Sequence, residues 1–298
     1  MAAATDVREM ELTRLSGSLG AEIRGISLEK VGPAEAGAIR SLLYEHMVLF
    51  FPDQFLNPDA HIAFGRHFGK LEGHPNVVGS SDRSELFELR ASRGAIADEW
   101  HSDLTCQQRP SVLAILNMVK CPPVGGDTYW SNMVKAFDEL SPPLQELCEG
   151  LTALHDAQPH GRPEQMAIHP VVRVHPETRR KSLFVNEHFT RRIVELSHHE
   201  SDMLLRYLTR WAANHRFTVR YRWHEGTIAM WDNRCTQHFV MDDFDEERII
   251  QRVTVMGDEP RAARPPRWQP HVRSGAPGAA GRHDRQLRAA LEAGLAKH

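Results

Sequence analysis

The sequence predicts a mostly β core with flanking helices, an α+β arrangement, on three observations. Strand-like segments dominate residues 99–256; helices do not alternate with them as βαβ units would require; and no G-x-G-x-x-G or phosphate-loop motif occurs. A sandwich or barrel clad by helices fits that distribution. The 298 residues, 41% hydrophobic and 25% charged, suit an ordinary globular chain and exclude disordered and fibrous classes. No period of repeating units supports a solenoid or propeller.

The elements follow in order. Residues 12–14 and 21–24 read as short strands, 33–45 as a helix, and Met47-Val48-Leu49-Phe50-Phe51 as a buried strand. Asn57-Pro58-Asp59 supplies an N-cap with proline in the first turn, and the helix that follows should stop at Gly69, before Gly73-His74-Pro75. Residues 111–119 read as strand, broken by Cys121-Pro122-Pro123-Val124-Gly125-Gly126. Short helices are expected at 133–140 and after Ser141, and a hairpin from 171–174 and 183–185 around a polar turn. Ser197 with Glu200 forms a capping box that opens a helix to about Asn214, after which 218–223, 227–231 and 248–256 return to strand. Residues 1–262 read as one domain. Residues 263–298 read as a Pro/Arg/Gly-rich tail with a terminal helix at 285–296, placed to pack on a neighbouring subunit of a homo-oligomer, a dimer or tetramer.

Charge and cysteines narrow the function classes. Lys plus Arg number 36 against 39 Asp plus Glu, a formal charge of -3, so no basic excess exists to hold a nucleic-acid backbone. The first residues lack the charged start and apolar stretch of a secretory signal, and no apolar run is long enough to span a bilayer; a cytoplasmic protein is expected, with no membrane partner. Cys106, Cys121, Cys148 and Cys235 form no CxxC pair, so free thiols are expected.

The chemistry concentrates in a few residues. In His101-Ser102-Asp103 an H-x-D triplet on a strand would send both side chains to one face. With 18 histidines such a triplet carries little weight alone. Two rivals are weaker: His198-His199-Glu200 falls in the first turn of a capped helix, and His175-Pro176-Glu177 at a hairpin turn should be solvated. A third donor, His238, follows Trp231-Asp232-Asn233-Arg234 far downstream. Two imidazoles and one carboxylate leave open positions suited to non-haem Fe(II) chemistry, and the same donors would also serve zinc. Arg248 and Arg252 lie an even number apart on a β-branched strand, so both guanidinium groups point to one side, either toward ligand anions or toward the acidic stretch Asp242, Asp243, Asp245, Glu246 and Glu247.

Taken together, Trp100-His101-Ser102-Asp103, Gly125-Gly126-Asp127-Thr128, Phe184-Val185-Asn186-Glu187, Trp231-Asp232-Asn233-Arg234 with His238, and Arg248 with Arg252 resemble the TauD/TfdA family of Fe(II)- and 2-oxoglutarate-dependent dioxygenases. The resemblance runs from about Leu12 to Pro260 and is nearest to the taurine-oxidising members. It implies a double-stranded β-helix, or jelly roll, with His101, Asp103 and His238 as iron ligands, Arg248 holding the distal carboxylate of 2-oxoglutarate with Thr128 assisting, and Arg252 facing the substrate anion. By the same matching His74 and Phe189 line the substrate pocket. The cosubstrates implied are 2-oxoglutarate and O2. The activity implied is hydroxylation of a small organic anion, foremost a sulfonate such as taurine, releasing sulfite and an aldehyde with succinate and CO2. An alkyl sulfate or an aryloxy or alkyl carboxylate is the alternative substrate; a zinc hydrolase and a non-catalytic anion-binding jelly roll are more remote readings. The likeness departs at substrate positions: Val77 and Ala97 stand where the taurine enzymes carry a tyrosine and an asparagine, and the stretch between His155 and His169 is short. These changes remove hydrogen-bonding groups that would recognise a small amino-sulfonate.

Overall fold

The computed structural model describes residues 10–73, 84–91, 97–272 and 281–296. In chain order the first elements are β1 (Glu11–Arg14), β2 (Ala21–Arg24), α1 (Pro33–His46), β3 (Val48–Phe51), α2 (Pro58–Arg66), β4 (Leu86–Ala91) and β5 (Leu113–Lys120). Next come β6 (Thr128–Asn132), α3 (Met133–Asp138), α4 (Pro142–Glu149), β7 (Thr152–Ala157), β8 (Arg162–Pro170), β9 (Val172–Val174) and β10 (Lys181–Leu183). The last are β11 (Thr190–Ile193), α5 (His198–Ala212), β12 (Thr218–Tyr221), β13 (Ile228–Asp232), β14 (Thr236–Val240), β15 (Arg248–Val255) and α6 (Gly281–Glu292). Backbone packing divides the chain into two units.

The first unit takes residues 1–99, 111–132 and 218–257. A seven-stranded sheet runs β1-β2-β3-β13-β5-β15-β4, and a three-stranded sheet runs β12-β6-β14. All of these strand pairs are antiparallel except β2 with β3. Helix α1 starts on Pro33, whose fixed φ suits a first turn, and Glu35 turns back to accept a hydrogen bond from the Gly32 amide at 3.0 Å. It ends where Met47 adopts a left-handed φ of 65°, which turns the chain directly into β3. Helix α2 is capped by Asn57, whose side chain accepts from the Ala60 amide at 2.9 Å. Strand β3 is buried on both faces, and alternation divides its residues. Leu49 and Phe51 join Ile39, Leu43, Ile62 and Phe64 of the two helices in one apolar cluster. Phe50 points the other way, stacking on Tyr221 at 3.8 Å and meeting Trp130 edge-on at 5.2 Å, so it fastens the large sheet to the small one.

The second unit takes residues 100–110, 133–217 and 258–298. It contains the sheet β11-β7-β8 and the hairpin β9–β10. Helices α3, α4 and α5 cover an apolar cluster built from Phe137, Leu151, Ile193, Leu208 and Phe217 among others. Ser197 and Glu200 make the expected capping box, so the Glu200 carboxylate is spent on the Ser197 amide and hydroxyl and the H-x-E there is no ligand pair. Helix α6 begins earlier than the sequence pattern suggested, because Asp284 in its first turn forms a buried ion pair with Arg192 while Leu287 and Ala290 pack on Leu154 and Val194.

Two expectations change. His175 is buried, not solvated; its Nδ1 accepts hydrogen bonds from the Glu177 and Thr178 amides and so organises the β9–β10 turn. His101 forms only a single-residue β-bridge, and Asp103 opens a turn, so the H-x-D pair is held by a bridge and a turn instead of a strand.

Candidate functional site

In the first unit the turn after β13 is locked by its own side chains. The Asp232 carboxylate accepts from the Arg234 amide at 2.9 Å and from its guanidinium at 2.8 and 2.6 Å, while Trp231 donates its indole N–H to Asn233 at 3.0 Å. This rigid corner launches β14, whose third residue is His238. Opposite residues of an antiparallel pair share a face, and His238 faces Trp130 while Val240 faces Thr128, so Thr128 and His238 project from the same side of the β6–β14 ribbon. The His238 ring is walled by Trp231 at 4.9 Å and Trp130 at 6.4 Å. Thr128 is buried, and its hydroxyl oxygen accepts from the Trp223 indole at 2.9 Å.

Arg248 is the first residue of β15 and is 5% exposed. The bulge between β15 and β5 falls at Val119, on the β5 side, so β15 itself stays regular and Arg248 and Arg252 keep one face. Gly126 lies against Arg248: a β-carbon there would sit 3.4 Å from the arginine Cδ. Gly125 has a φ of +84°, and a side chain there would strike the Asp243 carbonyl at 2.3 Å, so glycine alone fits. The Gly126 amide donates to the Asp243 carboxylate at 2.9 Å, and Glu247 pairs with Lys120 at 2.9 Å, so these two acids of the loop before β15 are engaged elsewhere. Among the described residues the Arg248 Nε has no hydrogen-bond partner, and burial, opposed by Cys121, lowers the pKa to about 10. Arg252 is half-buried with its guanidinium over the Phe87 ring at 5.6 Å.

In the second unit the segment after β10 docks by its backbone: the Glu187 and His188 amides donate to the Trp100 carbonyl at 3.1 and 3.3 Å. That sets the His188 ring 5.7 Å from the His101 ring. Phe189 is buried against Cys106 and Ala157, between the His188 ring at 4.6 Å and the His160 ring at 5.6 Å. The pair His160 and His188, whose Nε2 atoms lie 3.2 Å apart, was not singled out from sequence; its one signal was the Glu187-His188-Phe189 run next to the Asn186 motif. His74, and Val77 with it, lie outside the described residues. Ala97, where the taurine enzymes carry asparagine, has a φ of 63°, a conformation that asparagine tolerates better than alanine.

His101 and Asp103 of the second unit and His238 of the first are all buried, and each offers a donor type that a metal takes. Two imidazoles and a carboxylate match the donor set of a facial-triad iron site, leaving positions for other oxygen ligands. Other buried donors are spent on structure: the Asp232 oxygens bond Arg234, and the His175 Nδ1 accepts two amides.

A sheet-rich chain with these donor types and a buried arginine fits the class of 2-oxo-acid-dependent oxygenases. The chain belongs to the TauD/TfdA family: residues 11–254 match the family described as taurine catabolism dioxygenase TauD, TfdA family. It is similar to an alkylsulfatase of Acinetobacter baylyi, 34% identical over 84% of this chain and 86% of the relative. An α-ketoglutarate-dependent sulfate ester dioxygenase of Pseudomonas putida is also 34% identical, over 87% of this chain and 94% of the relative. A solved structure of a taurine dioxygenase from Burkholderia xenovorans superposes with a TM-score of 0.78 at 35% identity, covering 86% of this chain and 93% of that one. The chain is therefore a 2-oxoglutarate-dependent dioxygenase with the TauD-type fold, which decides among the oxygenase, hydrolase and binding-module readings that the residues alone left open. No described helix is long and apolar enough to cross a membrane.

Proposed function

We propose that this dioxygenase acts on small organic sulfate esters, with His101, Asp103 and His238 holding Fe(II) and Arg248 holding 2-oxoglutarate. The observation that carries the cosubstrate assignment is the buried Arg248 guanidinium, whose Nε lacks a partner among the described residues and whose charge burial penalises. A guanidinium in that state is completed by a carboxylate, which it grips with a planar fork, and the Thr128 hydroxyl can donate beside it. Bound iron, 2-oxoglutarate and O2 supply the oxidising power, with one oxygen atom passing to succinate, one to the substrate, and a carboxylate leaving as CO2. The protein's share is to hold the substrate anion through Arg252 so that its C–H bond faces the metal, and to keep water out with the Trp130 and Trp231 rings beside His238. A hydroxyl placed on the carbon bearing the ester oxygen gives a hemiacetal sulfate; its C–O bond breaks to leave an aldehyde and inorganic sulfate.

Sulfate esters are favoured over taurine by the two relatives named for them and by Ala97 and Val77, which offer no side-chain hydrogen bond for an amino-sulfonate. Sulfonates are the second reading, supported by the similar solved taurine dioxygenase. The test is a panel of hexyl sulfate, hexanesulfonate, taurine and phenoxyacetate with Fe(II), 2-oxoglutarate and O2, scored by succinate and by sulfate or sulfite. Hexyl sulfate should release sulfate with kcat/KM at least about tenfold above taurine. Sulfite release from a sulfonate at a higher kcat/KM would replace this reading with the second one.

A further inference from the structure

The turn that carries Asp103 is held from behind by a buried polar network that the reaction itself does not use. Leu104, directly after Asp103, sits at a left-handed φ of 53°, a conformation that a branched side chain adopts only when its surroundings impose it. What imposes it is the clamping of the next residues. The Gln107 amide closes the turn on the Leu104 carbonyl at 2.9 Å, and Thr105 is 0% exposed.

The hydrogen-bond polarity of this network follows from its chemistry. His169 Nε2 lies 2.9 Å from the carbonyls of both Thr105 and Gln107, and carbonyls only accept, so His169 carries a proton on Nε2 and donates to both. Asn186 accepts from the Phe189 amide at 2.8 Å through Oδ1, which aims its Nδ2 at the Thr105 hydroxyl oxygen, 3.1 Å away. Thr105 therefore accepts from Asn186, and its hydroxyl also lies within hydrogen-bond distance of His155 Nδ1, at 3.0 Å. Thr190, whose oxygen accepts from the Asn186 amide at 2.9 Å, lies 3.2 Å from the same His155 nitrogen. Burial keeps both imidazoles neutral, His169 with a pKa lowered to about 4 and His155 well below its ordinary value. Thr105 is the hub of this network: its hydroxyl meets Asn186 and His155, and its carbonyl meets His169.

We infer that Thr105, clamped by His155, Asn186 and His169, is a positioning residue for the Asp103 carboxylate, setting its geometry toward the metal through the two-residue turn between them. The inference rests on Asp103 being a metal ligand. Mutating a group that orients a ligand from behind typically costs about 10- to 100-fold in metal affinity.

The experiment compares Thr105→Val, which keeps the shape and removes the hydroxyl, with Thr105→Ser, which keeps the hydroxyl. Mn(II) affinity is measured anaerobically without 2-oxoglutarate, alongside the visible spectrum of the Co(II)-substituted protein. Thr105→Val should weaken Mn(II) binding about 10- to 100-fold and change the Co(II) bands, and Thr105→Ser should stay within about threefold of wild type. Equal binding by wild type and Thr105→Val, or equal losses in both variants, overturns the inference. A second measurement needs no variant: in protein labelled with 15N-histidine, Zn(II) should shift the His155 Nδ1 resonance through the turn, and an unmoved resonance overturns the inference too. Wild-type protein that binds no Mn(II) would instead overturn the metal site itself, a result separable from both.

Discussion

Two buried arginines in the same unit were given opposite surroundings. At Arg234 burial penalises the charge, but the adjacent Asp232 carboxylate more than compensates through its charge and hydrogen bonds, and the pKa is raised. At Arg248 burial penalises the charge with only Cys121 opposing it, and the pKa is lowered. The first guanidinium is balanced within the fold and braces the turn before His238; the second has no such partner at its Nε among the described residues. A buried charge without a partner is costly, and this difference is why Arg234 is read as structural and Arg248 is proposed to bind an anion.

The same substitution at the two positions should act with opposite sign on stability. Arg234→Met strips the guanidinium from a buried carboxylate and should cost about 3–5 kcal/mol, read as a lowered denaturant midpoint. Arg248→Met removes an unmatched charge and should leave the midpoint of the ligand-free protein unchanged or raised. Its loss falls on the cosubstrate instead: 2-oxoglutarate affinity should drop about 100-fold, with Mn(II) affinity unaltered. Comparable destabilisation by both variants would show that Arg248 is paired within the fold, and the contrast would disappear.

The Arg248–Arg252 pair was legible because β15 is a β-branched strand, where a period of two is unambiguous. The outer elements were legible through their punctuation: Asn57-Pro58, the Ser197–Glu200 box and the polar turn between β9 and β10 all sit where the backbone changes direction. The strands β6, β7, β8, β11 and β14 were not anticipated, and the reason is their content. They bury His155, Asp156, His169, Arg192, Gln237 and His238, so their inward faces are polar and show no apolar alternation. The proposed iron ligands suffer the same masking; His238 was found through its motif, since Thr236-Gln237-His238 carries no strand signature. The local geometry of His101 and Asp103 escaped the pattern because a turn with a left-handed Leu104 has no signal in residue types that normally avoid it.

A third solution for buried bases, keeping them neutral, sharpens the comparison in a different pH range. His61 and His169 have pKa values lowered by burial from 6.5 to about 4, and His155 lies well below its usual value. Above 6.5 these imidazoles are neutral whether the chain is folded or not, and their burial carries no proton penalty. As pH falls below 6.5 the unfolded chain takes up protons that the folded chain refuses until about 4, so stability present above the unfolded value is lost through that window. Each group should withdraw about 1.4 kcal/mol per pH unit at most, and urea midpoints at pH 7.5, 6.0 and 5.0 measure it. His61→Gln, which can still donate to the Ile115 carbonyl now 3.1 Å from the ring, should make the profile shallower by one proton. A flat profile between pH 6.5 and 5 would mean that these imidazoles are hydrated, and burial would then be too weak an argument for Arg248 as well.

The smallest effect tests the alternative that the acidic stretch before β15 neutralises Arg248. Glu247 is its immediate neighbour in sequence, yet strand alternation turns the two side chains apart, and Glu247 reaches Lys120 at 2.9 Å and Arg90 at 4.0 Å. The hydrogen bond and charge of Lys120, with burial opposing and Arg90 adding, hold the Glu247 carboxyl below its ordinary pKa, so its negative charge is already matched at the surface. Glu247→Gln should therefore leave 2-oxoglutarate affinity within about twofold of wild type and the denaturant midpoint unchanged. If the variant instead bound 2-oxoglutarate several-fold more tightly, the loop carboxylate would be competing with the cosubstrate for Arg248. Arg234 and Arg248 would then differ only in how far away their internal partner stands.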